Sequence, residues 1–310
     1  MLKFTLLLPM QNKHLEHPED CVISGDLNVL NWFTANSNIS AKIDGSPAIV
    51  WGCNPSNNKF FVGTKSVFNK KLIKINHNHT DIDRNHKGEV ADILHICFDN
   101  LPHTTNIYQG DYLGLGGIDC FNPNTIRYDF PDKVSQKIVI APHTLYTAED
   151  DLRNAIAHPL QFVLESDNNV LYVQPEVYID DDREDIKQLC NFARQMSTLC
   201  DFPSNKQVAR IKKQLNSCIR ENIELDELTL DAIAVDNNVD INVMRLWKLV
   251  WSIKLDMFEH IVRYDDIDCY IGSEECGHEG YVMSNEFGSY KIVNREVFSR
   301  ANFIHSKMRG

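Results

Sequence analysis

Between residues 39 and 141 the apolar positions fall in short β-prone runs: "AKIDGSPAIVWG", "KFFVGTKSVF", "EVADILHICFD", "TNIYQGDYLG", "NTIRYDF" and "QKIVIAPHTLY". Turn clusters part them. One cluster, "NPSNN", separates two alternating runs, and its proline and asparagines pre-set turn dihedrals, so it predicts a hairpin. From about residue 181 to 262 the period changes from two to between three and four. Leu246, Val250, Ile253, Met257 and Ile261 make one apolar helical stripe, and Ile186, Leu189, Ala193 and Met196 make another. The tryptophans and methionines of this block are read as core. The ending, "GYVMSNEFGSYKIVNREVFSRANFIHSK", predicts a strand, a turn at "NEFGS", a return strand and a short helix. The pattern therefore predicts an α+β protein, rich in antiparallel sheet, with a helical subdomain inserted into it. Its expected division is 1–180 for the first part of the core, 181–265 for the helical insertion and 266–310 for the closing part.

Composition adds bounds. With 310 residues, 43% of them hydrophobic, the chain can bury a sizeable core. The opening "MLKFTLLLPMQNKHLEHPED" has too short an apolar run for a membrane span and lacks a small-residue cleavage site, so a soluble cytoplasmic protein with no membrane partner is expected. Nine cysteines without framework spacing predict free thiols. The net charge of −12 repels nucleic acid on average, but the average hides basic stripes. Lys59, Lys65, Lys70, Lys71, Lys74, Arg84 and Lys87 form one; Lys206, Arg210, Lys212, Lys213 and Arg220, with no acid among them, form a second; Lys291, Arg295, Arg300, Lys307 and Arg309 form a third. These permit a phosphate-binding face or are solvated helix surface. No repeat, Walker-type loop or dinucleotide fingerprint is present, and "GDYLGLGG" lacks the following helix that a phosphate cradle needs.

The stretch "KIDGSPAI" carries candidate chemistry. A lysine at a strand end in a partly desolvated cleft can lose its proton and attack phosphorus. Asp44 then supplies hydrogen bonding, and Gly45 allows close approach of a backbone or ligand.

With this piece, others in a fixed order make the sequence resemble the covalent nucleotidyltransferase superfamily, the ATP-dependent DNA and RNA ligases and related capping enzymes. "KIDGSPAI" resembles the nucleophile motif, its serine being especially like the phage RNA ligases. "FFVGTKS" resembles a segment that places Lys65 and Ser66 near the nucleotide. "IYQGDYLG" is similar to the aromatic-glycine-acid motif, with Asp111 as the acid. "IDCFNPNTIRYDF" stands where an aromatic residue stacks on adenine, here Phe121. "EGYV" resembles the motif whose glutamate, Glu279, serves metal and phosphate, and "SYKIVNR" resembles the closing lysine motif, giving Lys291. The pieces "EHPED", "QGD" and "NREVFSRANF" also resemble an uncharacterised group of tailed-phage proteins, which implies a host-cell cytoplasm.

The resemblance implies an antiparallel-rich nucleotidyltransferase core, ATP-grasp-like, using ATP and Mg2+, with Mn2+ as a substitute. Lys42 attacks the α-phosphate to give a lysyl-adenylate; Glu279 and Asp111 hold metal; Asp44, Gly45, Lys65, Ser66, Asp111 and Phe121 bind the nucleotide; Lys291 neutralises charge. The implied partners are nucleic acid ends, RNA before DNA, joined 5′-phosphate to 3′-hydroxyl; no protein partner is indicated. There are two departures. The closing motif has one lysine where ligases usually have two, so one phosphate contact is lost or supplied by Arg295 or Lys307, and the chain ends too soon after Lys291 for an OB-fold domain. Two alternatives stay open: transfer of the adenylate to a protein or small acceptor, and a degenerate fold that holds nucleotide without turnover.

Elsewhere, "NHNHTDIDRNH" is read as a polar loop and "CYIGSEECGHEG" as ordinary strand and loop, since neither has zinc spacing. His143 is read as a core histidine before a cleft residue.

Overall fold

The computed structural model describes residues 15–299 and 301; Arg300, Lys307 and Arg309 lie outside the described residues. The helices are α1 (Pro18–Val22), α2 (Asn28–Trp32), α3 (His79–Asn85), α4 (Glu89–Asn100), α5 (Glu184–Ser197), α6 (Asn205–Glu221), α7 (Glu227–Asn237) and α8 (Ile241–Asp256). The strands are β1 (Asn38–Lys42), β2 (Ala48–Asn54), β3 (Lys59–Gly63), β4 (Ile107–Leu115), β5 (Cys120–Phe121), β6 (Arg127–Asp129), β7 (Ile138–Thr147), β8 (Ile156–Pro159), β9 (Val170–Tyr172), β10 (Glu176–Ile179), β11 (Ile261–Tyr264), β12 (Asp268–Ile271), β13 (Glu274–Cys276), β14 (Gly280–Asn285) and β15 (Gly288–Ile292). The chain is thus α+β, and every strand pair is antiparallel except β7 with β9. Among the described residues no helix is long and apolar enough to cross a membrane.

Three sheets matter for the site. The largest runs β3-β2-β4-β7-β8, with β9 beside β7; a three-stranded sheet runs β1-β14-β15; a four-stranded one runs β13-β12-β6-β5. The "NPSNN" turn joins β2 to β3 as a hairpin, with Asn58 at a φ of 57° that asparagine tolerates.

The amphipathic helices fold as their stripes dictate. α6 buries Val208, Ile211, Leu215 and Ile219, and α8 buries Leu246, Trp247, Val250, Trp251 and Ile253. They share one core with α1, α2, Met283 and Ile292, so the helical block backs the three-stranded sheet directly. On that sheet Ile39, Tyr281, Met283, Tyr290 and Ile292 pack on the helical core. Alternation along a pleated strand then turns Ser40, Lys42, Val282 and Lys291 to the opposite face.

Three expectations change. "EVADILHICFD" is helix α4, not a strand: Ala91, Leu94 and Cys97 recur at helical spacing with Ile93 and bury against β2 and β3. The histidine-rich "NHNHTDIDRNH" is mostly helix α3, because the Asn78 side chain accepts the Asp81 N–H and caps it. Helix α8 stops at Asp256, and Ile261 opens β11 instead of ending the stripe.

Candidate functional site

β1 and β14 pair with Lys42 opposite Gly280, and β14 and β15 pair with Val282 opposite Lys291. This register fixes the cluster. Glu279, just before β14, forms an ion pair with the Lys42 ammonium across a sequence separation of 237. Gly280 has to be glycine: its φ is +138°, and a Cβ there would lie 2.1 Å from the Ile292 carbonyl oxygen.

After Lys42 the chain crosses to the largest sheet. Ser46 N–H donates to the Tyr112 carbonyl at 2.9 Å and Tyr112 N–H to the Pro47 carbonyl at 3.1 Å, so the link is stitched across β4. Gly45 lies so close that a Cβ would sit 2.6 Å from the Tyr112 oxygen and 3.0 Å from the Asp111 Cβ. The aspartate-glycine pair after the lysine thus brings Asp111, opposite Ala48 on β4, to the cluster. Asp44 lies 3.8 Å from the Lys42 ammonium. Two residues that sequence reasoning missed hold it: Tyr128 Oη accepts the Asp44 backbone N–H at 2.8 Å, and Asn124 donates to its carboxylate at 2.7 Å. Both stand in the quoted "NPNTIRYDF", where only the phenylalanine upstream drew notice.

The electrostatics are those of a compact charge cluster. Burial works against the Lys42 ammonium, but Glu279, Asp44 and Asp111 together outweigh it and raise its pKa. Burial raises the Glu279 carboxyl against the opposing pull of Lys42. Lys291 is different. Burial, then Lys42 and Arg295, lower its pKa against the help of Glu279, and among the described residues no ion pair or hydrogen bond engages its ammonium. Glu279 and Asp20 oppose its charge from a distance, not through a direct ion pair.

Other expected residues are placed apart. Phe121 is 1% exposed and meets Phe130 edge-on at 5.2 Å inside the core, so it offers no open ring face to a ligand. Lys65 is exposed at the start of a 3-10 turn, and Ser66 shares a hydrogen bond with Thr64; neither touches the Lys42 group. The strand before them ends at Gly63, opposite Val50 and two residues short of the Ala48–Asp111 pair, so they follow at that end of the sheet. His143, read as core, is half-exposed with Nε2 3.8 Å from the Asp111 carboxylate, because β7 runs beside β4. Arg295 cannot replace a second closing lysine. It is 1% exposed and donates to Glu19 at 2.9 Å, Asp20 at 3.0 Å and Asn216 at 2.7 Å.

That arginine belongs to a buried network the sequence did not disclose. Glu19 also accepts from Lys254 at 2.6 Å, and Asp20 from the Trp247 indole at 3.0 Å. Against the penalty of burial, the two cations hold the Glu19 carboxyl below the usual carboxylate range. Burial next to Arg295, Lys254 and Lys291 pushes His17 down to about 2. The network clamps α1, α8 and the segment after β15, and a bond from Lys291 N–H to the Glu16 carbonyl at 3.2 Å ties the site strand to it.

Glu279, Asp44 and Asp111 all act on the Lys42 ammonium, yet among the described residues no three acidic, histidine or cysteine side chains are grouped closely enough to hold a metal ion. No curated protein and no solved structure matches the chain. A family profile matches residues 12–232 and 183–307, and the chain therefore belongs to DUF6267, a family of unknown function.

Proposed function

We propose that the protein is an ATP-dependent nucleotidyltransferase of the polynucleotide-ligase kind, with Lys42 as nucleophile. The observation that supports this is the meeting of Lys42, Asp44, Asp111, Glu279 and Lys291 from two sheets in one partly buried charge cluster. Lys42 Nζ would bond to the α-phosphorus as the bond to the bridging oxygen breaks and pyrophosphate leaves, its surplus proton passing to a carboxylate or water. Magnesium, when bound, would neutralise phosphate charge. The chain's own residues do the rest. Glu279 holds the ammonium in place at rest, and its withdrawal toward a cation would lower the Lys42 pKa toward the reactive amine. Lys291 would receive the phosphate charge that its surroundings leave unmatched. RNA ends, joined 5′-phosphate to 3′-hydroxyl, are the acceptor this reading favours over DNA.

A second reading, a nucleotide-holding protein without turnover, is favoured by one observation: in this structure the Lys42 ammonium is ion-paired and its pKa is raised. Intact mass after incubation with ATP and magnesium separates the two. The wild type gains the mass of AMP and Lys42→Ala does not; a wild type that gains nothing, or a Lys42→Ala protein that gains the same mass, overturns the enzyme. Release of that AMP by 5′-phosphorylated RNA, and not by protein or small acceptors, tests the ligase part.

A further inference from the structure

The helical block has a face that the nucleotidyl chemistry does not use. On α6 the residues Lys206, Arg210, Lys213, Ser217 and Arg220 follow at spacings of four, three, four and three, and all are exposed. They lie on one stripe opposite the buried Val208, Ile211, Leu215 and Ile219. At about 1.5 Å per residue the stripe is about 20 Å long. Among the described residues Lys206, Arg210 and Lys213 have no ion pair or hydrogen bond through their charged groups. In a chain of net charge −12, this concentration of unpaired cations on one line is an exception to the average field.

The stripe is also physically coupled to the cleft. On the adjoining flank of α6, Lys212 pairs with Glu16 at 3.0 Å and Asn216 accepts from Arg295 at 2.7 Å. Glu16 in turn accepts the backbone N–H of Lys291. The helix is therefore bolted to the strand that carries the closing lysine.

Chemistry selects the partner. A membrane-surface helix inserts large apolar side chains beside its cations, and a protein interface has an apolar centre. None of the exposed large hydrophobic residues lies on α6; beside the stripe stand Asn205, Ala209, Gln214 and, at its end, one acid, Glu221, which accepts from Ser217 at 2.9 Å. Cations spaced by a helical turn, with polar and no greasy neighbours, match a run of phosphates.

We propose that the exposed stripe Lys206, Arg210, Lys213 and Arg220 of α6 is the face along which a nucleic acid strand runs by its phosphate backbone. This deepens the ligase reading, for which the strand is the substrate, but it stands on the helix and not on Lys42.

The test uses the full chain with Lys206, Arg210 and Lys213 all changed to Glu, and titrates a labelled 5′-phosphorylated RNA 20-mer, its DNA counterpart and anionic phospholipid vesicles. The expected result is binding of both nucleic acids by the wild type, weakened at least about tenfold in the variant. The log affinity against log salt slope should shrink by about two, the share of three phosphates on a single strand. Formation of the AMP adduct on Lys42 should be unchanged. Equal nucleic acid binding by both proteins, no binding by the wild type, or binding of vesicles in its place overturns the inference. A failed adduct with an intact nucleic acid effect overturns only the catalytic reading. Circular dichroism of the variant, whose changed side chains are all exposed, checks that α6 still folds.

Discussion

Two charge clusters sit within this molecule, made of the same groups and on opposite terms with water. Glu19 with Lys254 and Glu279 with Lys42 are both carboxylate-ammonium pairs, separated by 235 and 237 residues in sequence. In the first, both side chains are fully buried and the pair is enclosed by Arg295, Asp20 and Trp247. In the second, Lys42 retains 24% exposure and its neighbours are mostly further charges. A pair walled off from solvent in this way holds the fold together. A pair with an open flank, a nearby cation in Lys291 that makes no direct ion pair among the described residues, and further carboxylates can exchange partners. That contrast, more than any one distance, separates the enclosed ions from the accessible ones.

The contrast can be broken by stability measurements first. Lys254→Ala leaves Glu19 with one cation in a dry site, and chemical denaturation should show a loss of about 3–5 kcal/mol. An effect below about 1 kcal/mol would mean that the enclosed cluster holds nothing together. Next comes Glu279→Gln, which removes the anchoring carboxylate. The rate of AMP-adduct formation should fall by at least about a hundredfold, or about 2.7 kcal/mol of barrier. Because Glu279 helps to raise the Lys42 pKa, the remaining rate should reach its plateau at lower pH than in the wild type. A plateau at the same pH would show that the carboxylate does not hold that proton.

Acid titration sharpens the enclosed side. His17 stays neutral in the folded protein down to about pH 2, whereas an unfolded histidine takes its proton near its ordinary value of 6.5. Over that window the unfolded state binds the extra proton, so folding stability falls as pH falls, by up to about 1.4 kcal/mol per pH unit from this group. His17→Asn should flatten the slope between pH 6 and 4 in urea titrations; an unchanged slope would assign it to other groups. The smallest effect belongs to the open cluster. Lys42→Met should alter folding stability by less than about 1 kcal/mol, as a partly solvated pair does, while abolishing the adduct. A cost as large as that of Lys254→Ala would make Lys42 a structural cation.

Legibility in the sequence followed the same divide. Helices α5 and α8 were readable because one apolar stripe decided their burial, and the closing hairpin because its turn chemistry agreed with its alternation. Helix α4 was not, since Val90, Ile93 and Ile96 are β-branched and only packing against the largest sheet decides for helix. Lys42, Asp44, Gly45, Asp111, Glu279 and Lys291 stood out as short local patterns, and the structure groups them. Phe121 could not be placed, because a two-residue strand leaves too little pattern to say which way its ring turns. The enclosed cluster was illegible for a simpler reason: Glu19 and Asp20 look like surface acids of a short helix, and Lys254 like a solvated position on α8, until a distant arginine completes them.

Among the described residues strand β1 has β14 as its one hydrogen-bonded neighbour. A chain still emerging from the ribosome therefore holds the Lys42 strand without a sheet to join until more than two hundred further residues have been made. Until then Lys42 lacks Glu279, the carboxylate it pairs with in the finished fold. Whatever chemistry the finished molecule performs is switched on by completion of the fold itself.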